Sequence, residues 1–218
     1  MARLNPMKKR SEGSKREYLG KVLIFCEGKT EENYFNHYAK ILNNKSKYSH
    51  IDIELVHVGS DAKAVYDKAE QVLSQTPNKY KLYDKYLVFD CDAPKEGIEN
   101  VIEDMKNSNN EYKLLLTNEV FEVWLIMHFE ELKNPITKTK AYTKMADYLG
   151  TDKYKSKEKA SEGTIRKVID DGKNAVNAIK NAKTVENTYK GLDIKNNLKE
   201  MNPYTTVHTL VEKILLEI

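Results

Sequence analysis

Five acidic residues stand where α/β proteins place their chemistry. Glu27 and Glu31 lie in "VLIFCEGKTEENYF", where an apolar run meets a carboxylate, a glycine, a lysine and two more carboxylates. Asp90 and Asp92 close the run "YLVFDCDAP", and Glu122 sits among apolar neighbours in "FEVWLIMHF". In an extended D-x-D the two side chains point the same way. Carboxylates gathered at one rim without histidine or thiolate ligands make a hard-oxygen site suited to Mg2+ or Mn2+. Such ions keep several waters and hold phosphate, so phosphoryl transfer is the natural chemistry.

The elements that must position these residues follow from periodicity. "KVLIFCE" reads as a strand covered on both faces, followed by a helix with Tyr34, Phe35, Tyr38, Ile41 and Leu42 on one stripe. Thr30 is the expected N-cap of that helix. "IDIELVHV", "YLVFD" and "YKLLLT" read as further strands, alternating with helices over "DAKAVYDKAEQVLSQ", around Ile98–Met105 and over "FEVWLIMHFEEL". The βαβαβαβα order predicts an α/β fold with a mainly parallel sheet and helices on both faces. Open sheets of this kind carry their sites at the carboxyl ends of the strands, where Glu27, Asp90 and Asp92 fall.

Beyond Leu132 the sequence turns lysine-rich and helical. Ile165, Val168, Ile169, Val176 and Ile179 share one stripe, and "PYTTVHTLVEKILLEI" reads as a closing helix that includes Ile218. Three regions result: a basic N-terminal arm (1–19), an α/β domain (20–132) and a lysine-rich helical region (133–218) that packs on or extends it.

With 40% hydrophobic and 32% charged residues, the composition is that of a water-soluble globule. No apolar run approaches the roughly 20 residues that span a bilayer, and the basic N-terminus lacks the apolar core of a secretory signal. A cytoplasmic protein with no membrane partner is expected. Cys26 and Cys91 fit neither zinc spacing nor a disulfide framework and read as small buried residues.

The formal charge of +3 says little, but its distribution says more. Residues 1–19 hold six basic side chains against two acids, and residues 133–160 hold eight lysines against three acids. Lys138, Lys140, Lys144, Lys153, Lys155, Lys157 and Lys159, interleaved with tyrosines, suit a polyanion such as nucleic acid. Ordinary solvated surface is the alternative. Lys29 is placed to meet a phosphate as a point charge, although the loop lacks a full P-loop pattern.

The residues also carry a family likeness. "EGKTE" after a first strand and "FDCD" after a later one resemble the Toprim fold of topoisomerases, primases and several nucleases. "CEGKTEENYF" with "FEVWLIMHF" and the terminal "NPYTTVHTLV" resembles the RloB family, small Toprim-like proteins of bacterial and archaeal restriction and abortive-infection loci. One departure is Glu119, where the family more often has proline after the asparagine.

The resemblance implies a metal-dependent nuclease acting on DNA or RNA, possibly transfer RNA, in anti-phage defence. It implies Glu27 as metal ligand or general acid/base, Asp90 and Asp92 as ligands, and Glu31 as the second acid of an E-G-x-x-E pattern. It also suggests a partner ATPase of the AAA or ABC type. A non-catalytic nucleic-acid-binding or regulatory partner of such an ATPase is the alternative. For Glu31 the rival role is a favourable helix-terminal charge worth about 0.3–1 kcal/mol. Glu122 is read as a metal or supporting ligand, with an ion pair to a lysine as the rival, and His128 as a hydrogen-bonded structural residue.

Overall fold

The computed structural model describes residues 19–44, 50–91, 95–159, 161–169 and 173–218. Asp92 and the arm over residues 1–18 lie outside them. Four strands run parallel: β1 (Lys21–Cys26), β2 (Asp52–His57), β3 (Asp84–Asp90) and β4 (Tyr112–Asn118). A fifth, β5 (Tyr204–Thr205), pairs antiparallel with β4, and the sheet order is β2-β1-β3-β4-β5. The α/β expectation is met.

Strand alternation divides the core into two layers. Val22, Ile24, Cys26, Tyr86, Val88 and Leu115 face one side, with α1 (Lys29–Asn43), α4 (Glu122–Ile126), α5 (Lys138–Leu149), α7 (Glu162–Ile169), α8 (Lys173–Thr188) and α10 (His208–Leu215). Leu23, Phe25, Leu87, Phe89 and Leu116 face the other, with α2 (Ala62–Gln75), α3 (Lys95–Asn107) and the short α9 (Ile194–Asn197). Burial on both faces is what makes the strand sequences continuously apolar. Residues beyond 133 enter the same core as the strands, since Met145, Ile165, Ala178 and Leu210 join the first layer.

Four local expectations need correction. Helix α1 begins at Lys29, with Gly28 at its N-cap in extended backbone and no side-chain cap, so Thr30 is already helical. A Cβ at residue 28 would meet Glu31 Oε2 at 2.5 Å, so a larger residue there would displace that carboxylate. Helix α4 is five residues rather than the whole apolar stretch. The His128 ring bonds Trp124 O (3.1 Å), the carbonyl that a continuing helix would offer to the His128 N–H, and that N–H turns to Leu125 O instead. The Ile165–Ile179 stripe is divided between two helices, α7 and α8, and Val176 is 59% exposed. "PYTT" supplies β5 rather than a helical turn, and Ile218 lies past α10 and is exposed.

No helix among the described residues is long and apolar enough to cross a membrane. Cys26 and Cys91 are both buried. Burial pushes the Cys26 thiol well above its ordinary range, with Glu31 and Glu32 adding repulsion.

Candidate metal pocket

The carboxyl ends of β1 and β3, the first turn of α1, and α4 enclose a pocket of about 340 Å³. Glu27, Glu31, Asp90 and Glu122 line it, together with Thr30, Lys29, Lys138, Tyr142, Ser156 and Lys159. Parallel pairing of β1 with β3 makes neighbours of residues more than sixty positions apart. Glu27 N–H donates to Val88 O (3.0 Å), and the Asp90 N–H donates to the Glu27 carboxylate (3.2 Å). Glu27 is therefore fixed at both backbone and side chain.

Glu31 is 4% exposed and folds back over Gly28. That burial removes it from the class of solvated helix-terminal charges. Desolvation raises its pKa to about 8, with Glu122 and Glu27 adding repulsion against the counter-effects of a backbone hydrogen bond and Lys159. Asp90 is likewise held well above the carboxylate range, by burial first and then by Glu31, Glu122 and Glu27.

Glu122 is 2% exposed, and its nearest cation is Lys159, with Nζ 3.4 Å from Oε1. Two carboxylate oxygens here, Asp90 Oδ1 and Glu122 Oε1, are enclosed without a hydrogen bond, as is the Tyr154 hydroxyl. Tyr154 lies close enough to Glu122 for the carboxylate to help raise its pKa, after the larger effect of burial. Buried oxygens are normally satisfied, and two enclosed carboxylate oxygens without a hydrogen bond leave room for more positive charge than Lys159 supplies.

The donor set is all oxygen, and its unsatisfied atoms and upward-shifted acids are what a divalent cation would relieve. The residues fit Mg2+ or Mn2+ on that chemistry. Among the described residues, however, no three histidine, cysteine, aspartate or glutamate side chains stand close enough together to hold a metal ion. The described acids line a pocket without closing a coordination shell.

The eight basic candidates separate in space. Lys29, Lys138 and Lys159 reach the acid pocket. Lys29 is half-exposed and pairs with Glu32 (2.6 Å). Lys153 and Lys155 line a second hollow of about 310 Å³ that shares Tyr142 with the first. Lys140 and Lys144 border a third near Glu130, to which Lys144 is paired, and Lys157 is simply exposed.

His128 is fully enclosed behind the pocket. Its Nε2 meets the Tyr34 hydroxyl (3.2 Å) and its Nδ1 meets Trp124 O, a pairing suited to a neutral ring. Burial lowers its pKa to about 4, outweighing those backbone contacts. What sequence reading missed is the role of Tyr142 and Tyr154, which flank Lys159. The interleaving of tyrosine with lysine was visible, but not which pair would meet.

The family model described as RloB-like protein matches residues 22–214, nearly the whole chain. No curated protein and no solved structure matches it.

Proposed function

The chain belongs to the RloB-like protein family, and from that premise we propose a divalent-metal-dependent nuclease that hydrolyses phosphodiester bonds of DNA or RNA, transfer RNA included. Its place would be that of an effector in bacterial or archaeal anti-phage defence, working with a partner ATPase. The observation that carries the reading is the pair of enclosed oxygens without a hydrogen bond, Asp90 Oδ1 and Glu122 Oε1, in one pocket with Glu27 and Glu31, the Lys159 ammonium standing 3.4 Å from Glu122 Oε1.

Glu27, Asp90 and Glu31 would close on the ion as it binds, since no three acids among the described residues are preassembled for it, with Asp92 following Asp90 by two residues. Bound Mg2+ supplies Lewis acidity to the phosphate and a more acidic water. Glu27 is held in place by the Asp90 amide and orients its carboxylate toward the rim. Lys29 and Lys138 stand on the same pocket and offer positive charge to substrate phosphate. The enclosing residues Phe121 and Tyr142 restrict water, which strengthens each electrostatic contact.

The rival reading is a regulatory nucleic-acid-binding partner of the ATPase. Turnover separates the two. Incubated with Mg2+ or Mn2+, the protein should cleave at least one of separate DNA, messenger RNA and transfer RNA pools, and excess chelator should abolish it. Cleavage that persists in chelator would overturn the metal mechanism, and metal-dependent binding without any product would favour the regulatory partner.

A further inference from the structure

Seven of the lysines beyond residue 132 were grouped together by sequence, yet one is placed unlike the rest. Lys159 ends α6 (Ser156–Lys159), a four-residue helix with no buried residue. Its ammonium nevertheless turns inward, with 28% of the side chain exposed, to stand 3.4 Å from the enclosed Glu122 carboxylate. The ring of Tyr142 lies 3.9 Å beneath it and that of Tyr154 5.9 Å away, and the Tyr142 hydroxyl is hydrogen-bonded to it. Aromatic faces of this kind hold a cation without neutralising it.

On either side, the buried Tyr154 precedes this strap and the Ser161 N–H donates to Glu158 O (3.2 Å). Glu158 accepts from the Lys155 N–H (3.0 Å), and Lys159 N–H donates to Lys155 O (3.0 Å), both within the segment itself. Upstream, α5 ends at Gly150, whose left-handed backbone (φ 66°) turns the chain toward it.

Resting on the metal-dependent reading above, we propose that Lys159 is a tethered cation of the acid pocket, seated at Glu122 before metal arrives and expelled when a divalent ion binds. The ion and the ammonium are alternative answers to the same excess of negative charge. A point charge on a flexible stem suits this exchange, since it can leave by rotation of its own side chain. Because Lys159 is the inward anchor of α6, its release also frees the strap that borders the second hollow. Metal occupancy thereby becomes linked to the placement of Lys155 at that hollow, while Lys157 is exposed to solvent already. By reciprocity, whatever draws the strap outward tightens metal binding.

The test uses the full wild-type chain and Mn2+ alone, with occupancy measured by calorimetry. Amine acetylation is followed by mass spectrometry in chelator and at saturating Mn2+, Lys157 on the same helix serving as internal control. Lys159 should be protected in chelator and become several-fold more reactive with Mn2+, with Lys157 unchanged. In parallel, Lys159→Met should raise Mn2+ affinity by roughly tenfold, and Lys159→Arg should leave it near wild type. Mn2+ binding with Lys159 equally protected in both states would overturn this inference alone. Failure of Mn2+ to bind at all would overturn the proposed function and this inference with it.

Discussion

On the edge strand β2, Glu54 accepts hydrogen bonds from Lys79 (2.7 Å), Tyr80 (2.8 Å) and Tyr83 (3.3 Å). On α2, Glu70 likewise receives Ser108, Asn110 and Tyr112. Partial burial pushes both acids up, but these donors more than compensate and hold each below the ordinary carboxylate range. At the carboxyl ends of β1 and β3 the ingredients are similar: carboxylates, tyrosines and lysines. There Asp90 Oδ1 and Glu122 Oε1 stay unbonded, and Glu31 and Asp90 shift the other way. The chain thus has the means to satisfy an acid fully, and at this place it leaves two carboxylate oxygens without a hydrogen bond. Carboxylate density alone does not single out that place, since the partnered acids also come in groups; the unmet bonding capacity does.

The sharpest way to break the contrast is to neutralise one acid from each group. Asp90→Asn should reduce Mg2+-dependent turnover by orders of magnitude while leaving stability in chelator unchanged or higher, because like-charge repulsion is relieved. Glu54→Gln should do the reverse, costing about 1 kcal/mol of stability with turnover intact, given its half-exposed setting. Cleavage assays and denaturant titrations of both variants decide it. An active Asp90→Asn protein would place the pocket acids with the structural ones.

Glu31 sharpens the comparison through pH. Its folded-state pKa of about 8 lies above the ordinary 4.5. Across that window the unfolded chain releases a proton that the folded chain keeps, so metal-free stability falls as pH rises from about 4.5 to 8. Glu31→Gln should remove this fall, a gain at pH 8 on the order of 4 kcal/mol at most. Chemical denaturation in chelator at several pH values measures it, and a wild-type slope unchanged by the substitution would refute it.

His128 tests the opposite sign in a partnered group. With its folded pKa lowered to about 4, the unfolded chain takes up a proton first as pH falls from 6.5. Stability should therefore decline across pH 6.5 to 4 by about 3 kcal/mol and level off below. His208, also lowered by burial, contributes in the same direction, so the His128→Gln difference isolates the ring. That variant should flatten the decline without changing the pH dependence attributed to Glu31.

Much of this arrangement is legible in the sequence because two periodicities alternate cleanly through residue 126. Glu27 and Asp90 were found by their position after apolar runs, and Glu122 by its apolar company. Less legible were features decided by one specific contact. The early end of α4 depends on a histidine ring taking a helical carbonyl, and the two-residue β5 depends on pairing with Asn118 and Thr117. Gly28 stands at the N-cap without a side-chain cap and lies against the Glu31 carboxylate, a contact between positions that the sequence pattern does not show. Lys159 could not be told from its neighbours, since its distinction is a meeting with Glu122 across thirty-seven positions.

The closing of the sheet edge bears on how the chain is made. Asn118 at the end of β4 donates to Leu198 O and Met201 O, 80 and 83 positions later, and Leu116 N–H donates to the Thr206 hydroxyl. A nascent chain carrying all four parallel strands would leave the ribosome with β4 still unpaired on its outer side. Only after residues 198–206 emerge does that edge gain its cover. Until then the β4 edge presents an open template to other chains, so messages truncated between β4 and β5 should yield aggregating products.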